Sequence, residues 1–90
     1  MERITFVIEF IDQDALDQFQ ALPKATQKIL GKAMKERLGV DPVSFGKPLR
    51  YSLKGHRRLR VGDYRIAYRI NEKEGIVIIV AVDHRKDIYE

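Results

Sequence analysis

Two short runs, His56-Arg57-Arg58-Leu59-Arg60-Val61 and Tyr64-Arg65-Ile66-Ala67-Tyr68-Arg69-Ile70, are separated only by Gly62-Asp63. Alternating strand-like segments around such a pair specify a tight β-hairpin. A two-residue turn pairs Val61 with Tyr64, Arg60 with Arg65, Leu59 with Ile66, Arg58 with Ala67, Arg57 with Tyr68 and His56 with Arg69. Successive side chains point to opposite faces. One face therefore gathers His56, Arg58, Arg60, Arg65 and Arg69, with Ala67 as an open floor between them. The other gathers Leu59, Val61, Tyr64, Ile66, Tyr68 and Ile70, with Arg57 at its edge. The apolar set belongs against a core and the arginines on an open face.

The flanking segments say what supplies that core. Residues 3–11 (Ile4, Phe6, Val7, Ile8, Phe10, Ile11) read as a first strand. Asp12 or Asp14 caps a short helix carrying Ala15, Leu16, Phe19 and Leu22. Pro23 opens a second helix, with Ile29, Ala33, Met34 and Leu38 as its buried stripe and Lys24, Lys28, Lys32 and Lys35 on other faces. Gly39 ends it, and Asp41-Pro42 prevents a restart. Residues 41–50 read as a loop, and Leu49 to Leu53 as a short strand closed by Gly55. After the hairpin, Asn71 to Gly75 turns into Ile76–Asp83, an almost uninterrupted apolar strand suited to a central position. The short turns force antiparallel pairing among the late strands.

The expectation is one α+β domain over residues 1–90. An N-terminal strand and a two-helix hairpin pack on one face of a small, mainly antiparallel sheet, whose opposite face is open and basic. Ninety residues bury a modest core. No apolar run approaches the roughly 20 residues that span a bilayer. The chain has no cysteine, and the first residues do not read as a signal peptide, so a cytoplasmic protein is expected.

Charge narrows the partner. Residues 1–45 carry six Lys/Arg and seven Asp/Glu, whereas residues 46–90 carry eleven and six. Like charges opposite one another destabilise a sheet, so an arginine-rich face with one acid, Asp63 at the turn, suggests a polyanion. Arginine suits phosphate because its planar fork donates two parallel hydrogen bonds. His84-Arg85 ends the last strand and Tyr89 follows four residues later. If that strand lies beside 64–70, these groups reach the edge of the basic face. Histidine titrates near neutrality, and surrounding cations lower the pKa of a tyrosine. His56 and His84, the only histidines, have no carboxylate at metal-ligand spacing, and no phosphate-cradling glycine loop is present. No cofactor is expected. The remaining chemistry is metal-free phosphodiester cleavage, for which RNA carries its own nucleophile, the 2′-OH.

The second half resembles the RelE/ParE superfamily of bacterial and archaeal toxins. The resemblance runs from Phe45-Gly46-Lys47-Pro48-Leu49 through Leu53-Lys54-Gly55, Arg58-Leu59-Arg60-Val61-Gly62-Asp63-Tyr64-Arg65-Ile66 and Tyr68-Arg69-Ile70 to Val82-Asp83-His84-Arg85-Lys86-Asp87-Ile88-Tyr89. The first half matches by pattern, a strand and then two helices split at Leu22-Pro23-Lys24. The resemblance implies a type II toxin that cleaves mRNA in the ribosomal A site without metal. It assigns catalytic roles to Arg58, Arg65, Arg85 and Tyr89, with His84 beside them. Arg58 and Arg65 would stabilise the transition state, Tyr89 would act as base, and Arg85 or His84 as acid. His56, Arg57, Arg60, Arg69, Lys47 and Lys54 would bind RNA, His56 standing where a lysine is frequent. The implied partners are the ribosome, mRNA and a RelB-like antitoxin, in a hetero-oligomer that reaches operator DNA through the antitoxin. Two other readings share the scaffold: a ParE-like gyrase inhibitor, and a degenerate toxin that binds antitoxin and co-represses transcription.

Overall fold

A computed structural model describes residues 5–50 and 55–84. The elements are β1 (Val7–Phe10), α1 (Gln13–Gln20), α2 (Lys24–Ala33), a π-helical turn (Met34–Leu38), α3 (Pro42–Phe45), β2 (Lys47–Pro48), β3 (Arg57–Val61), β4 (Tyr64–Asn71) and β5 (Ile76–Asp83). Five strands form one sheet in the order β1-β5-β4-β3-β2. β1 runs parallel to β5, and the other neighbours are antiparallel. The α+β architecture matches the expectation, with the apolar β5 between β1 and β4.

The β3–β4 register is the expected one from Val61↔Tyr64 to Arg57↔Tyr68. Gly62 takes φ +60°, which costs glycine nothing. Leu59, Ile66, Tyr68, Val77, Ile79 and Val82 are buried on the inner face. Leu30, Ala33, Met34 and Leu38 pack against them. Phe10 and Phe19 meet at 5.5 Å between ring centroids and fasten α1 to β1. Asp12 is the N-cap of α1, its carboxylate accepting the Ala15 N–H at 2.9 Å. A bulge between Ala67 and Tyr68 opposite β5 leaves Val80 without a register partner. Gln18 accepts the Val82 N–H at 3.2 Å and so ties α1 to the far end of β5.

Three local expectations are corrected. Ile29 is 61% exposed, and Leu30 takes its place in the stripe. Leu30, Ala33 and Met34 have the i, i+3, i+4 spacing of one helix face, from which Ile29 is rotated by about 100°. The second helix does not run unchanged to Gly39: its last turn widens, and the Gly39 N–H donates to the Met34 carbonyl five residues back at 2.8 Å. A side chain at Gly39 would meet the Lys35 carbonyl oxygen at 2.5 Å. Finally, the segment 41–50 contains α3 and β2 rather than a plain loop. Asp41 stops one helix and caps the next, accepting the Ser44 N–H at 3.2 Å, and Pro42 sits in the first turn where no N–H is needed. β2 forms at Lys47–Pro48, and Leu49 adds a bond from its N–H to the His56 carbonyl at 2.9 Å; of the strand expected over 49–53, residues 51–53 lie outside the described residues.

Candidate nucleic-acid interface

Strand register arranges the open face in rows. Arg60, Arg65 and Asp83 stand side by side on β3, β4 and β5. The next row holds Lys47, Arg58, Ala67 and Ala81. Beyond the bulge, Arg69 lies beside Ile78, and Ile78 beside Glu9 of β1. The basic character is thus confined to β2, β3 and β4. Towards β1 the same face turns apolar, with Val7 and Ile11 exposed.

Arg60, Arg69 and Lys47 are exposed, and Arg58 is half-buried. Arg65 differs: only 2% of it is accessible. Its Nη1 donates to the Asp63 carbonyl at 3.0 Å, and Asp83 is its neighbour on β5. A buried guanidinium has five N–H donors to satisfy, and the Asp63 carbonyl takes one of them. Ala67 is 2% exposed and is not the open floor that alternation suggests.

Arg57 projects to the inner face. Its Nη2 donates to the Val43 carbonyl and, at 2.9 Å, to the Gly46 carbonyl. The Tyr68 hydroxyl beside it donates to the Pro42 carbonyl at 2.6 Å. Burial pushes the Tyr68 pKa up, and the Arg57 charge and hydrogen bond pull against that rise. Together the two side chains hold α3 and β2 against the sheet.

His84 sits just past β5 with its ring 4.9 Å from that of Tyr64. Alternation from Asp83 directs it away from the Arg65 side. The end of β5 therefore delivers His84 to the edge of the hairpin, against Tyr64 rather than among the arginines. His56 precedes β3 and is half-buried, its Nδ1 without a hydrogen-bond partner among the described residues. Lys54, Arg85 and Tyr89 lie outside the described residues.

At the outer edge of β3 a cleft of about 180 Å³ is lined by Arg37, Phe45, Lys47, Arg58, Leu59 and Arg60. Sequence assigns no site role to Arg37 or to Phe45, although Phe45 opens the stretch that carries the family resemblance. Arg37 comes from the π-helical turn, remote from the basic hairpin in the chain. Phe45 belongs to a segment that reads as a loop. Among the described residues no group of three His, Cys, Asp or Glu side chains lies close enough to hold a metal ion.

Residues 10–89 match the family model of the ParE toxin of type II toxin–antitoxin systems, parDE. The chain belongs to this family of type II toxins. It is 48% identical over 52 residues to toxin RelG of Mycobacterium tuberculosis, a match covering 58% of this chain and 60% of that protein. The matched stretch thus spans about three-fifths of this relative's length. The fold superposes on the toxin–antitoxin complex RelBE2 of M. tuberculosis with a TM-score of 0.84 and 31% identity, covering 93% of this chain and 95% of that one. The isolated RelE toxin of Escherichia coli gives a TM-score of 0.71 at 18% identity, with 92% and 89% covered, a likeness of fold. The RelE/ParE assignment expected from sequence therefore holds. No helix among the described residues is long and apolar enough to cross a membrane.

Proposed function

We propose that this toxin is a ribosome-dependent endoribonuclease that cleaves mRNA and stops translation. The observation that carries the reading is the convergence of Lys47, Arg58 and Arg60 beside the buried charge of Arg65 on one side of the sheet. A polyanion repays the mutual repulsion of such a group. Cleavage requires little else: an in-line strand, a base for the 2′-OH proton, stabilisation of the added phosphorane charge and an acid for the 5′ oxygen that leaves. In this reading Arg58 and Arg60 contact phosphate, and Arg65 adds its field from beneath. Arg69, Lys47, Lys54 and His56 extend the grip along the strand. Arg85 and Tyr89 carry the proton transfers, with His84 as the alternative acid. Arg57 serves RNA indirectly, because its guanidinium is committed to the carbonyls of Val43 and Gly46. The chemistry needs no metal, because cationic side chains provide the charge stabilisation.

The RelBE2 complex supports an antitoxin partner of RelB type, through which a hetero-oligomer would reach operator DNA. Such a pair would act in the cytoplasm. The ParE family model favours a second reading, inhibition of DNA gyrase. The test adds purified protein to programmed ribosomes and maps mRNA 5′ ends, with Arg58→Ala and Tyr89→Phe in parallel. New ends with the wild type, lost in both variants, are the expected result. Intact mRNA under conditions where the protein arrests growth, together with inhibited supercoiling by gyrase, would replace the nuclease by the gyrase inhibitor.

A further inference from the structure

The cleft at the outer edge of β3 adds Arg37 and Phe45 to cations that the catalytic reading already uses. Among the described residues its lining includes four cations and no acid. Those cations come from three separate elements: Arg37 from the π-helical turn, Lys47 from β2, and Arg58 and Arg60 from β3. The nearby acids are turned to other tasks. Glu36 lies 4.0 Å from Lys32, one turn back along the helix, and the Asp41 carboxylate caps α3. Phe45 is 51% exposed at the mouth of this basic recess. It is also held in place: Tyr68 bonds Pro42 and Arg57 bonds Val43 and Gly46, so the segment that carries Phe45 is fixed on both sides.

A rigid, half-exposed aromatic ring among cations is a platform for a base with flanking phosphates. At about 180 Å³ the cleft falls below the roughly 300–1,000 Å³ of pockets that enclose a whole drug-sized ligand, and so takes one part of a longer chain. β2 pairs only with Arg57 and Arg58, so among the described residues the edge of β3 from Leu59 onward has no neighbouring strand. Among the described residues the recess is therefore open along the strand direction. It is also continuous with Arg58, which both lines it and stands opposite Lys47.

We propose that this cleft is a subsite for one nucleotide of single-stranded RNA next to the cleavage position, with Phe45 stacking on the base and Arg37, Lys47 and Arg60 holding the adjoining phosphates. The inference rests on the nuclease reading and adds Phe45 and Arg37 to the substrate contacts. An acidic peptide is the competing occupant. The lining favours RNA, because only Phe45 and Leu59 are apolar and a peptide helix needs a longer apolar track.

The chain contains no tryptophan, so Phe45→Trp introduces a single indole at the site, which red-edge excitation reads apart from the four tyrosines. Titration of this variant with a short single-stranded oligoribonucleotide, 2′-O-methylated to prevent cleavage, should quench the emission, and added salt should reverse the effect. On programmed ribosomes Phe45→Ala should lower kcat/KM about 5- to 150-fold, the range for loss of one stacked base. Phe45→Leu, which keeps apolar bulk, should stay low, and Phe45→Trp should recover most of the loss. Arg37→Gln should reduce the salt dependence of oligoribonucleotide binding by about 0.7 in the log–log slope, one phosphate contact. Thermal melting of each variant accompanies the kinetics, and a half-exposed position predicts little change. If the wild type does not cleave, the nuclease reading fails, while the quenching still reports on the subsite. If the wild type cleaves and Phe45→Ala and Phe45→Leu cleave equally well, the subsite is overturned, with or without quenching, and the patch faces a protein.

Discussion

Arg57 and Arg58 are neighbours on one strand, yet they belong to different parts of the molecule. Arg57 faces the helices, and its guanidinium closes a latch with Tyr68 on the carbonyls of α3 and its C-terminal glycine. Arg58 faces the other way, beside Lys47 and Ala67, into the basic rows and the cleft. A one-residue step along a strand thus separates an open-face cation from a structural one. On the nuclease reading, substitutions in the latch lower stability first, and substitutions of the exposed cations Lys47, Arg60 and Arg69 lower RNA binding while the protein still folds.

The strongest challenge to the latch side is Gly46→Val. A Cβ there would lie 1.7 Å from the Tyr68 hydroxyl oxygen and 3.0 Å from the Arg58 carbonyl. Either α3 or Tyr68 must move, and the Tyr68–Pro42 bond is lost with it. The expected cost is about 2–4 kcal/mol in chemical denaturation. An unchanged midpoint would show that the latch contributes nothing. Arg57→Ala comes next. It leaves the Val43 and Gly46 carbonyls without their charged donor, for a loss of about 1–2 kcal/mol in a partly solvated setting. Arg58→Ala should cost less stability than Arg57→Ala while abolishing mRNA cleavage, and equal destabilisation by the two alanines would erase the distinction.

The latch also has a pH signature. Because burial raises the Tyr68 pKa, the folded protein holds a proton that the unfolded chain releases near pH 10. Its stabilising contribution is full below about pH 10 and is lost as pH rises through the higher folded pKa. Tyr68→Phe should cost about 1 kcal/mol at neutral pH, one buried hydrogen bond. It should also give a shallower fall in stability above pH 10 than the wild type. Parallel curves across the alkaline range would contradict the buried, protonated tyrosine.

The hairpin was legible because its signals are local. Gly62-Asp63 sets the turn and alternation sets the faces, so every pair from Val61↔Tyr64 to Arg57↔Tyr68 follows from the chain alone. What escaped depends on distant groups. Arg65 is buried although alternation places it on the open face, and periodicity does not encode the depth of a position within a face. The role of Arg57 depends on α3, and α3 was hidden because Asp41-Pro42 reads equally as a stop and as a start. The confinement of positive charge to β2, β3 and β4 required knowing that β1 joins the sheet beyond β5. Arg37 and Phe45 come together only because a π-helical turn and a short helix bring one flank of the chain against the edge of β3.

Arg69 provides the smallest expected effect and the most specific test of the two-face division. It is exposed, lies past the bulge, and has the aliphatic Ile78 rather than another cation as its neighbour on β5. Removing it frees no buried group and opens no cavity, so Arg69→Ala should change stability by less than about 0.5 kcal/mol. On the nuclease reading it would offer one peripheral phosphate contact. Binding should weaken modestly and uniformly across sequences, and the log–log salt slope should fall by about 0.7. Arg60→Ala, in the row that holds the buried Arg65, should show the same slope change together with a clear loss of cleavage rate. If the two variants lose cleavage equally, the basic face works as a diffuse field and its rows carry no separate roles. If only Arg60→Ala slows cleavage, the reacting phosphate lies at the Arg58–Arg60 end of the hairpin, beside the cleft, with Arg69 guiding the strand from further along.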